Sequence, residues 1–430
     1  MAQLKDDCFA FGDSLIPLDE ALSQLEARIK DSLKGERQVE NLPVDDCLFR
    51  IAAQDIVADR AVPPHDNSAV DGYAVYHADL NPDGETTLPV TARVAAGHPL
   101  DRPAERGEAI RIFTGAPMPF GADGKQSSGP DTVFMDEDAE LSGDQVTLPA
   151  GLKRGSNRRN AGEDIAEGTT IIKRGTLLRP QEIGLAASVG HDTLPVYAPL
   201  RVAVFSTGDE IRDPSGDAPE GCVFDANRFT IKGLLKSYGA SVTDLGVLPD
   251  KKDAIQSALS EAAGNHDLLI TSGGVSMGEE DHVRTAVEAG GSLHMWRLAI
   301  KPGRPIALGQ VGQAAFIGLP GNPVATMVTF MIVARPLILW LTGAANVESP
   351  RYAVTTGFAH KKKSGRREWV RVRLETGGDG LPVVYKDHSG GAGILTSMAG
   401  ANGLVELSED VETVNEGDTV RYLPFNEVWR

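Results

Sequence analysis

The chain has 430 residues, too many for a single hydrophobic core, and its length indicates about two to four domains. Hydrophobic residues make up 41% and charged residues 24%, which is ordinary for a soluble globular protein. The net charge of −18 argues against nucleic-acid or anionic-membrane partners, which need a basic face, but it allows a small anionic ligand in a locally basic pocket.

The first 198 residues divide into three segments. Residues 14–60 and 160–198 are predicted to form a helical linker domain, from the periodicity of SLIPLDEALSQLEARIKDSL, with Ser14 as a candidate cap, and of PQEIGLAASVG. Residues 61–159 alternate short strand-like runs with Pro/Gly turns and predict a β-rich domain. The N-terminus shows no secretory leader and the three cysteines form no CxxC pair, so a reducing, cytoplasmic location is expected.

Residues 199–345 alternate apolar strands with helices and predict an α/β domain. The strands are RVAVFST, SVTDLGVLP, HDLLITSGG and AAFIGLPG, and the first helix has Asn227 as a candidate cap. Such alternation is typical of a parallel sheet with helices on both faces, whose ligands lie at the carboxyl ends of the strands. The apolar run 324–341 contains Arg335 and Pro336, which favours a buried helix over a membrane span. Residues 346–430 predict a small C-terminal β domain.

The loop ITSGGVSMGEEDHV, residues 270–283, follows the third of these strands. Its glycines and serines suit a phosphate cradle, because glycine lets backbone N–H groups approach an oxyanion. Gly-Val-Ser-Met-Gly also matches the G-x-S-x-G nucleophile elbow of hydrolases, a short pattern that needs an acid and a histidine downstream. The phosphate cradle is the favoured interpretation.

Acidic residues follow three consecutive strands: Asp209 and Glu210, then Asp250, then Asp281. If the strands are neighbours, the carboxylates converge, and two of them about 4 Å apart repel by roughly 4 kcal/mol at an effective dielectric of ~20. Mg²⁺ bound to these acids and to a phosphate would remove the repulsion. Separate, solvated loop acids explain the spacing equally well.

Two further motifs follow in the same domain. In RLAIKPGRPIALG, the side chains of Arg297, Lys301 and Arg304 form either an anion pocket or a solvated basic edge. In GLPGNPVA, the prolines predict a rigid turn with Asn322 at the cap and Pro323 at the first position of a helix.

The complete set of motifs resembles one family. DNSAVDGYAV, IFTGAPMP, RRNAGEDI, FSTGDE, SGGVSMGEEDHV, LAIKPGRP and GLPGNP occur in an order similar to that of the molybdopterin molybdenumtransferase family, which includes bacterial MoeA and the gephyrin E domain. The resemblance implies an elongated, multidomain α/β plus β chain of four domains, in which 199–345 resembles the molybdopterin-adenylylating proteins. It also implies a homodimer that inserts molybdenum from molybdate into adenylyl-molybdopterin and releases AMP with Mg²⁺, after an upstream adenylylating protein has made the substrate.

Site residues follow from the same resemblance. Glu210, Asp250 and Asp281 would hold the metal and, with Lys301, carry the chemistry. Asp71, Thr114 and Arg159 would reach the site from the partner subunit. The remaining substrate-binding positions implied are Asp209, Ser272, Gly273, Gly274, Ser276, Arg297, Pro320, Pro323 and Arg371.

Two positions depart from the family pattern, and two other functions remain as alternatives. Arg297 stands where bacterial members often have lysine, and Gly391 where a serine is expected, with Ser389 as the nearby hydroxyl. Molybdopterin adenylylation is the nearest alternative because the sheet domain is shared, and a non-catalytic scaffold is the second. The N-terminal motifs oppose the first, and retention of all the acidic positions opposes the second.

Overall fold

A computed structural model describes residues 15–32, 37–274, 282–386 and 391–428. Its first helix, α1 (Leu18–Ser32), places Leu18, Ala21 and Leu25 in the same buried core as the strands and helices of the α/β domain. This helix therefore packs on the α/β domain, although the sequence predicts it as part of the linker domain, residues 14–60.

The linker is less helical than the sequence predicts. The outgoing segment contains the strands β1 (Val39–Pro43) and β2 (Ile56–Val57), and the returning segment contains β11 (Thr170–Ile172), α2 (Pro180–Ser188) and β12 (Thr193–Tyr197). β1 pairs with β12 and β2 with β11, both antiparallel. The prediction of helix is confirmed for α1 and α2. It is wrong for residues 39–57, where β1 and β2 form by pairing with strands more than a hundred residues away in sequence.

Residues 61–159 form the predicted β-rich region. A six-stranded sheet has the order β7-β4-β6-β5-β9-β8, and β10 pairs separately with β3. The strands are β3 (Asn67–Ser68), β4 (Gly72–Val75), β5 (Thr86–Val94), β6 (Ala109–Ile112), β7 (Thr132–Met135), β8 (Glu140–Ser142), β9 (Gln145–Leu148) and β10 (Arg158–Arg159).

The α/β domain follows the predicted alternation of strands and helices. Its elements are β13 (Arg201–Thr207), β14 (Ile211–Arg212), β15 (Val223–Phe224), α3 (Ala226–Ser237), β16 (Ser241–Leu248), α4 (Lys252–Ala263), β17 (Leu268–Ser272), α5 (His282–Gly290), β18 (Gly291–Arg297), β19 (Ile300–Lys301), β20 (Pro305–Val311), β21 (Ala314–Leu319), α6 (Pro323–Thr329) and α7 (Arg335–Thr342).

The central sheet is mostly parallel, with the order β16-β13-β17-β21-β20-β18. The first four strands are parallel, whereas β20 runs antiparallel to both β21 and β18. Apolar side chains of α3 and α6 pack on one face of this sheet and those of α4 and α5 on the other. The basic segment around Lys301 therefore connects two antiparallel strands.

The long apolar helix belongs to the core. The segment Pro323–Thr342 is long and apolar enough to cross a membrane, but 83% of its most apolar window is buried inside the protein. A π-helical turn, Phe330–Ala334, separates α6 from α7 just before Pro336. Proline lacks the N–H of a regular helical bond, and the wider turn accommodates that loss.

The C-terminal region is a small closed β-barrel. β24 pairs with both β25 and β26, which closes the ring β24-β25-β22-β28-β26. Its elements are β22 (Tyr352–Thr356), β23 (His360–Lys361), β24 (Arg367–Thr376), β25 (Pro382–Lys386), α8 (Thr396–Ala399), β26 (Gly403–Leu407), β27 (Thr413–Val414) and β28 (Thr419–Pro424). Short 3₁₀ helices lie at Val44–Cys47, His77–Asp79, Gln126–Ser128, Asp136–Asp138 and Phe425–Glu427.

The barrel and the α/β domain share a continuous core. Trp369, Leu404 and Phe425 of the barrel region belong to the same buried cluster as the α/β helices, and β19 extends the barrel sheet by pairing with β24. This contact fixes the two units on either side of the cavity described below.

Candidate active site

Two glycine turns meet at the carboxyl ends of β17 and β21. The strands are paired as far as Ser272 and Leu319, and the N–H of Gly273 donates to the Leu319 carbonyl at 3.0 Å. A Cβ on Gly321 would lie 3.5 Å from Cα of Gly273, and a Cβ on Gly274, where φ is +63°, would lie 2.6 Å from Oγ1 of Thr207. The turns are therefore built on close backbone approach, as a cradle requires.

The rest of this loop, residues 275–281, lies outside the described residues. It contains Ser276 and Asp281 and the centre of the G-x-S-x-G pattern, so these predictions stay predictions.

Glu210 and Asp250 lie just beyond two neighbouring strands, as predicted. β13 and β16 are paired as far as Thr207 and Leu248, and both acidic residues follow within three positions. Asp209 and Glu210 are exposed and Asp250 is half-exposed. Gly208, with φ at +131°, lets the Glu210 carboxylate fold back, since a Cβ there would lie 2.7 Å from Oε2. We call Asp209, Glu210 and Asp250 the acidic edge.

Arg228, a buried arginine that the sequence analysis did not identify, holds together the segments that carry the acidic edge. The Arg228 side chain is 2% exposed, and its guanidinium donates to Asp225 at 2.9 Å, to Asp244 at 2.6 Å and to Asp213. Asp213 follows Glu210 directly after the short strand β14, and Asp244 lies on β16, which leads to Asp250. Arg228 therefore fixes both acid-bearing segments against α3.

The same contacts correct one prediction. Asp225 caps α3, since its carboxylate accepts from the N–H of Arg228 at 3.0 Å, whereas Nδ2 of Asn227 donates to the Gly321 carbonyl at 2.7 Å. Hydrogen bonds from the Ser215 hydroxyl and N–H, then from Arg228, lower the pKa of Asp213 to about 2.

The acidic edge offers donors that suit magnesium without forming a complete site in the described residues. Within the described part of the chain, no three His, Cys, Asp or Glu side chains come together as a metal-binding group. Glu210 and Asp250 are solvent-accessible carboxylates, the donor type that Mg²⁺ prefers. The third predicted ligand, Asp281, lies outside the described residues.

A cavity of about 480 Å³ lies between the glycine turns and the barrel. Gly273, Gly274, Lys301, Pro320 and Arg371 line it as members of the predicted site. The other lining residues are Pro302, Gly303, Pro305, Gly321, Asn322, Val324, Ala325, His360, Glu368, Trp369, Val370, Lys386, Gly391 and Ala392. We call this space the inter-domain cavity.

The predicted basic motif contributes one side chain to this lining. Lys301 lines the cavity, whereas Arg297 and Arg304 are not among its described lining residues. Gly303 permits the turn between Lys301 and Arg304, since its φ is +94° and an added Cβ would collide with Oγ1 of Thr329. Pro323 begins α6 as predicted, but its neighbours Asn322 and Val324 line the cavity in its place.

The cavity concentrates positive charge. The Lys301 ammonium donates to Glu368 at 3.0 Å, and His360 contacts the same carboxylate oxygen at 3.1 Å. The ammonium of Lys386 lies 3.0 Å from Nδ1 of His360, and Arg371 donates to the Gly391 carbonyl at 2.8 Å. The described lining thus contains three cations and one carboxylate, a charge balance that attracts small anions.

The departure at Gly391 has a structural consequence. Gly391 lines the cavity and contributes its carbonyl to Arg371, while Ser389 lies outside the described residues. At this position the described chain supplies a backbone acceptor in place of the expected hydroxyl.

The predicted partner-subunit residues form their own group on the β-rich domain. Thr114 donates to the Asp71 carboxylate through both its N–H and its hydroxyl, each at 2.7 Å, and these bonds lower the pKa of Asp71. Exposed Arg159 lies on β10, paired with the strand that precedes Asp71. None of the three is among the described residues that line the inter-domain cavity.

Family models match three consecutive parts of the chain. The model of the MoeA N-terminal region, domains I and II, matches residues 16–190, and that of a probable molybdopterin binding domain matches residues 203–340. The model of the MoeA C-terminal region, domain IV, matches residues 353–425.

Full-length relatives and solved structures agree with this division. The chain is 35% identical over 409 residues to the molybdopterin molybdenumtransferase of Haemophilus influenzae, covering 95% of this chain and 99% of that protein. It is 32% identical over 388 residues to that of Nostoc sp., covering 87% and 86%. The crystal structure of a molybdopterin biosynthesis moeA protein from Pyrococcus horikoshii superposes with a TM-score of 0.80 at 27% identity, covering 96% of this chain and 100% of that one.

Proposed function

The chain belongs to the MoeA family, and we propose that it is a molybdopterin molybdenumtransferase that inserts molybdenum from molybdate into adenylyl-molybdopterin with release of AMP. The observation that carries this proposal is the inter-domain cavity, in which two glycine turns of the molybdopterin-binding domain face Lys301 and Arg371. A pterin phosphate and a metal oxyanion are both anions, and this cavity provides donors for both.

The cavity residues bind and orient the substrates. The backbone around Gly273 and Gly274 would accommodate a phosphate, because neither glycine carries a side chain that could cover its own N–H group. Lys301 and Arg371 provide a point charge and a planar set of N–H donors for molybdate, a tetrahedral dianion. This arrangement would hold the oxyanion beside the pterin, so that the reacting atoms are close together and correctly oriented before the reaction.

The acidic edge is proposed to act on the adenylyl group. Glu210, Asp250 and Asp281 would hold Mg²⁺, which would neutralise phosphate charge as the phosphoanhydride opens and AMP leaves. Arg228 keeps two of these acids in position by anchoring their segments. Asp209 is proposed to contact substrate beside them.

The test of this function is the release of AMP. Purified protein, incubated with adenylyl-molybdopterin, Mg²⁺ and molybdate, should release AMP and form molybdenum-loaded cofactor only when both ions are present. Equal AMP release without molybdate would mean simple hydrolysis of the phosphoanhydride. Consumption of ATP with unmodified molybdopterin would identify the adenylylating reaction, which an upstream protein is expected to perform.

The working unit is proposed to be a cytoplasmic homodimer. The Asp71–Thr114 pair lies on a domain other than the one that carries the acidic edge, and a second subunit would bring it to the site. Mixing inactive Asp71→Ala with inactive Glu210→Ala should restore activity to about a quarter of the wild-type sites, since half of randomly paired dimers are mixed and each has one intact site. No recovery after confirmed subunit exchange would contradict a shared site.

A further inference from the structure

One carboxylate in the inter-domain cavity has the same sign of charge as the oxyanion that is proposed to bind there. Glu368 is 7% exposed and is the sole acidic residue among the described lining residues. A buried negative charge next to an oxyanion site weakens anion binding, so oxyanion binding alone gives no reason for its presence.

The contacts of Glu368 define a directed chain of hydrogen bonds. The Lys386 ammonium can only donate, so Nδ1 of His360, 3.0 Å away, must accept. Nε2 of His360 then carries the hydrogen and donates to Oε1 of Glu368 at 3.1 Å. The same oxygen accepts from Lys301 at 3.0 Å. Burial, followed by the charge of Lys386, lowers the pKa of His360, in agreement with a neutral ring.

Glu368 also determines where the Lys301 ammonium lies. Lys301 and Glu368 are paired in the parallel register of β19 with β24, which fixes their backbones side by side. The Lys301 side chain is 55% exposed, and its long stem has few other restraints. Lys301 and Glu368 also line a second cavity, of about 390 Å³, whose other described lining residues are Lys361, Lys362, Lys363 and Arg366. The ion pair therefore holds the ammonium at the boundary between two basic spaces.

We propose that Glu368 is a positioning residue for Lys301 that competes with the bound oxyanion for the lysine ammonium and so keeps oxyanion binding weak enough for transfer. This inference rests on the proposed function. With His360 neutral, the three cations and the one carboxylate among the described lining residues carry a net charge of +2, which a molybdate dianion would neutralise. If the cavity bound molybdate more tightly, the bound oxyanion would be stabilised more than the transition state, and its transfer to the pterin would slow.

The test variant is Glu368→Gln, which keeps the shape and removes the charge. Isothermal titration calorimetry with molybdate alone should show about tenfold tighter binding, equivalent to about 1.4 kcal/mol. In the AMP-release assay, KM for molybdate should fall and kcat should fall with it. A purely structural role would lower kcat without tightening the binding of molybdate.

Two further variants make the result specific. Glu375→Gln changes an exposed carboxylate on the same strand, paired only with Arg373 in the described residues, and should leave both constants unchanged. Glu368→Asp keeps the charge on a shorter stem, which loosens its hold on Lys301, so molybdate affinity should rise by only about threefold. The Asp variant also provides the test should the Gln variant fail to fold.

Each outcome separates the two proposals. Wild-type protein that binds molybdate, together with folded Glu368→Gln of equal or weaker affinity, would overturn the role of Glu368 and leave the proposed function standing. Wild-type protein that binds no molybdate would overturn the oxyanion site, and the role of Glu368 with it.

Discussion

The inter-domain cavity and the acidic edge both lie at the carboxyl ends of the central sheet, but they balance their charges differently. In the cavity, Lys301, Lys386 and Arg371 each have a hydrogen-bonded partner. At the edge, no hydrogen bond of the Glu210 or Asp250 carboxylate links it to another described side chain, and the binding partner of that edge is a bridging cation in the proposed mechanism. The cavity is thus preorganised by the fold, whereas the edge would be completed by the cation in the proposed mechanism.

This difference gives the two regions different sensitivities. A substitution in the cavity should alter the affinity for an anion, because its charges are already paired and oriented. A substitution at the edge should alter the rate of AMP release with little change in folding, since exposed carboxylates contribute little to stability.

The largest expected loss of stability comes from substitution of Arg228, which anchors the segments that carry the acidic edge. Arg228→Leu leaves Asp225, which is 3% exposed, as a buried charge without its ion pair, and should lower the free energy of unfolding by about 3 kcal/mol. Urea denaturation followed by far-UV circular dichroism measures this loss. AMP release should fall as well, because the acid-bearing loop and β16 lose their common anchor.

Lys232→Met provides the matched control. Lys232 pairs with the same Asp244, but its side chain is 20% exposed and Asp244 keeps its bond to Arg228. Its loss should cost at most about 1 kcal/mol. Equal destabilisation by the two substitutions would show that the acidic edge does not depend on the buried arginine.

A smaller loss of stability, caused by His360 in the inter-domain cavity, should appear as the pH falls. The pKa of His360 is lowered from 6.5 by burial and by the charges of Lys386 and Lys301, against the opposing influence of Glu368. The unfolded chain therefore takes up the proton first, and stability is lost as the pH falls from about 6.5 through the pKa of the folded state. Urea denaturation at pH 7.5 and 5.5 should show a larger loss for wild type than for His360→Gln. A parallel loss in both proteins would contradict a neutral, partly buried His360.

The strand pattern of the sequence predicted the position of the edge, but it did not predict the cavity residues that come from the C-terminal region, for a physical reason. Glu210 and Asp250 follow consecutive parallel strands, and strand ends in such a sheet converge whatever surrounds them. The cavity joins segments that are distant in sequence, since it places Gly273 and Lys301 of the α/β domain opposite side chains of the C-terminal region. Those side chains are His360 on β23, Glu368 on β24 and Lys386 on β25. No local period or motif marks those positions.

The fold shows the same contrast. The alternation of strands and helices predicted the parallel strands and their helices. It did not predict the antiparallel pair β18 and β20, because the segment RLAIKPGRPIALG has the composition of a basic turn. The pairing of β1 with β12 joins segments about 150 residues apart, so neither segment carries a local signal. Arg228 lies within a helix predicted correctly, yet its burial among three aspartates depends on the tertiary fold.

In the proposed mechanism, the inter-domain cavity binds the oxyanion while the acidic edge acts on the adenylyl group. Calorimetric titration of molybdate into Arg371→Met and Glu210→Gln, with AMP release measured in parallel, tests this division most directly. Arg371→Met should weaken molybdate binding by at least about tenfold, the loss of one charge-assisted contact. Glu210→Gln should bind molybdate as the wild type does and release AMP about 100-fold more slowly. Weakened molybdate binding in Glu210→Gln, with Arg371→Met unaffected, would contradict the assignment of the two regions.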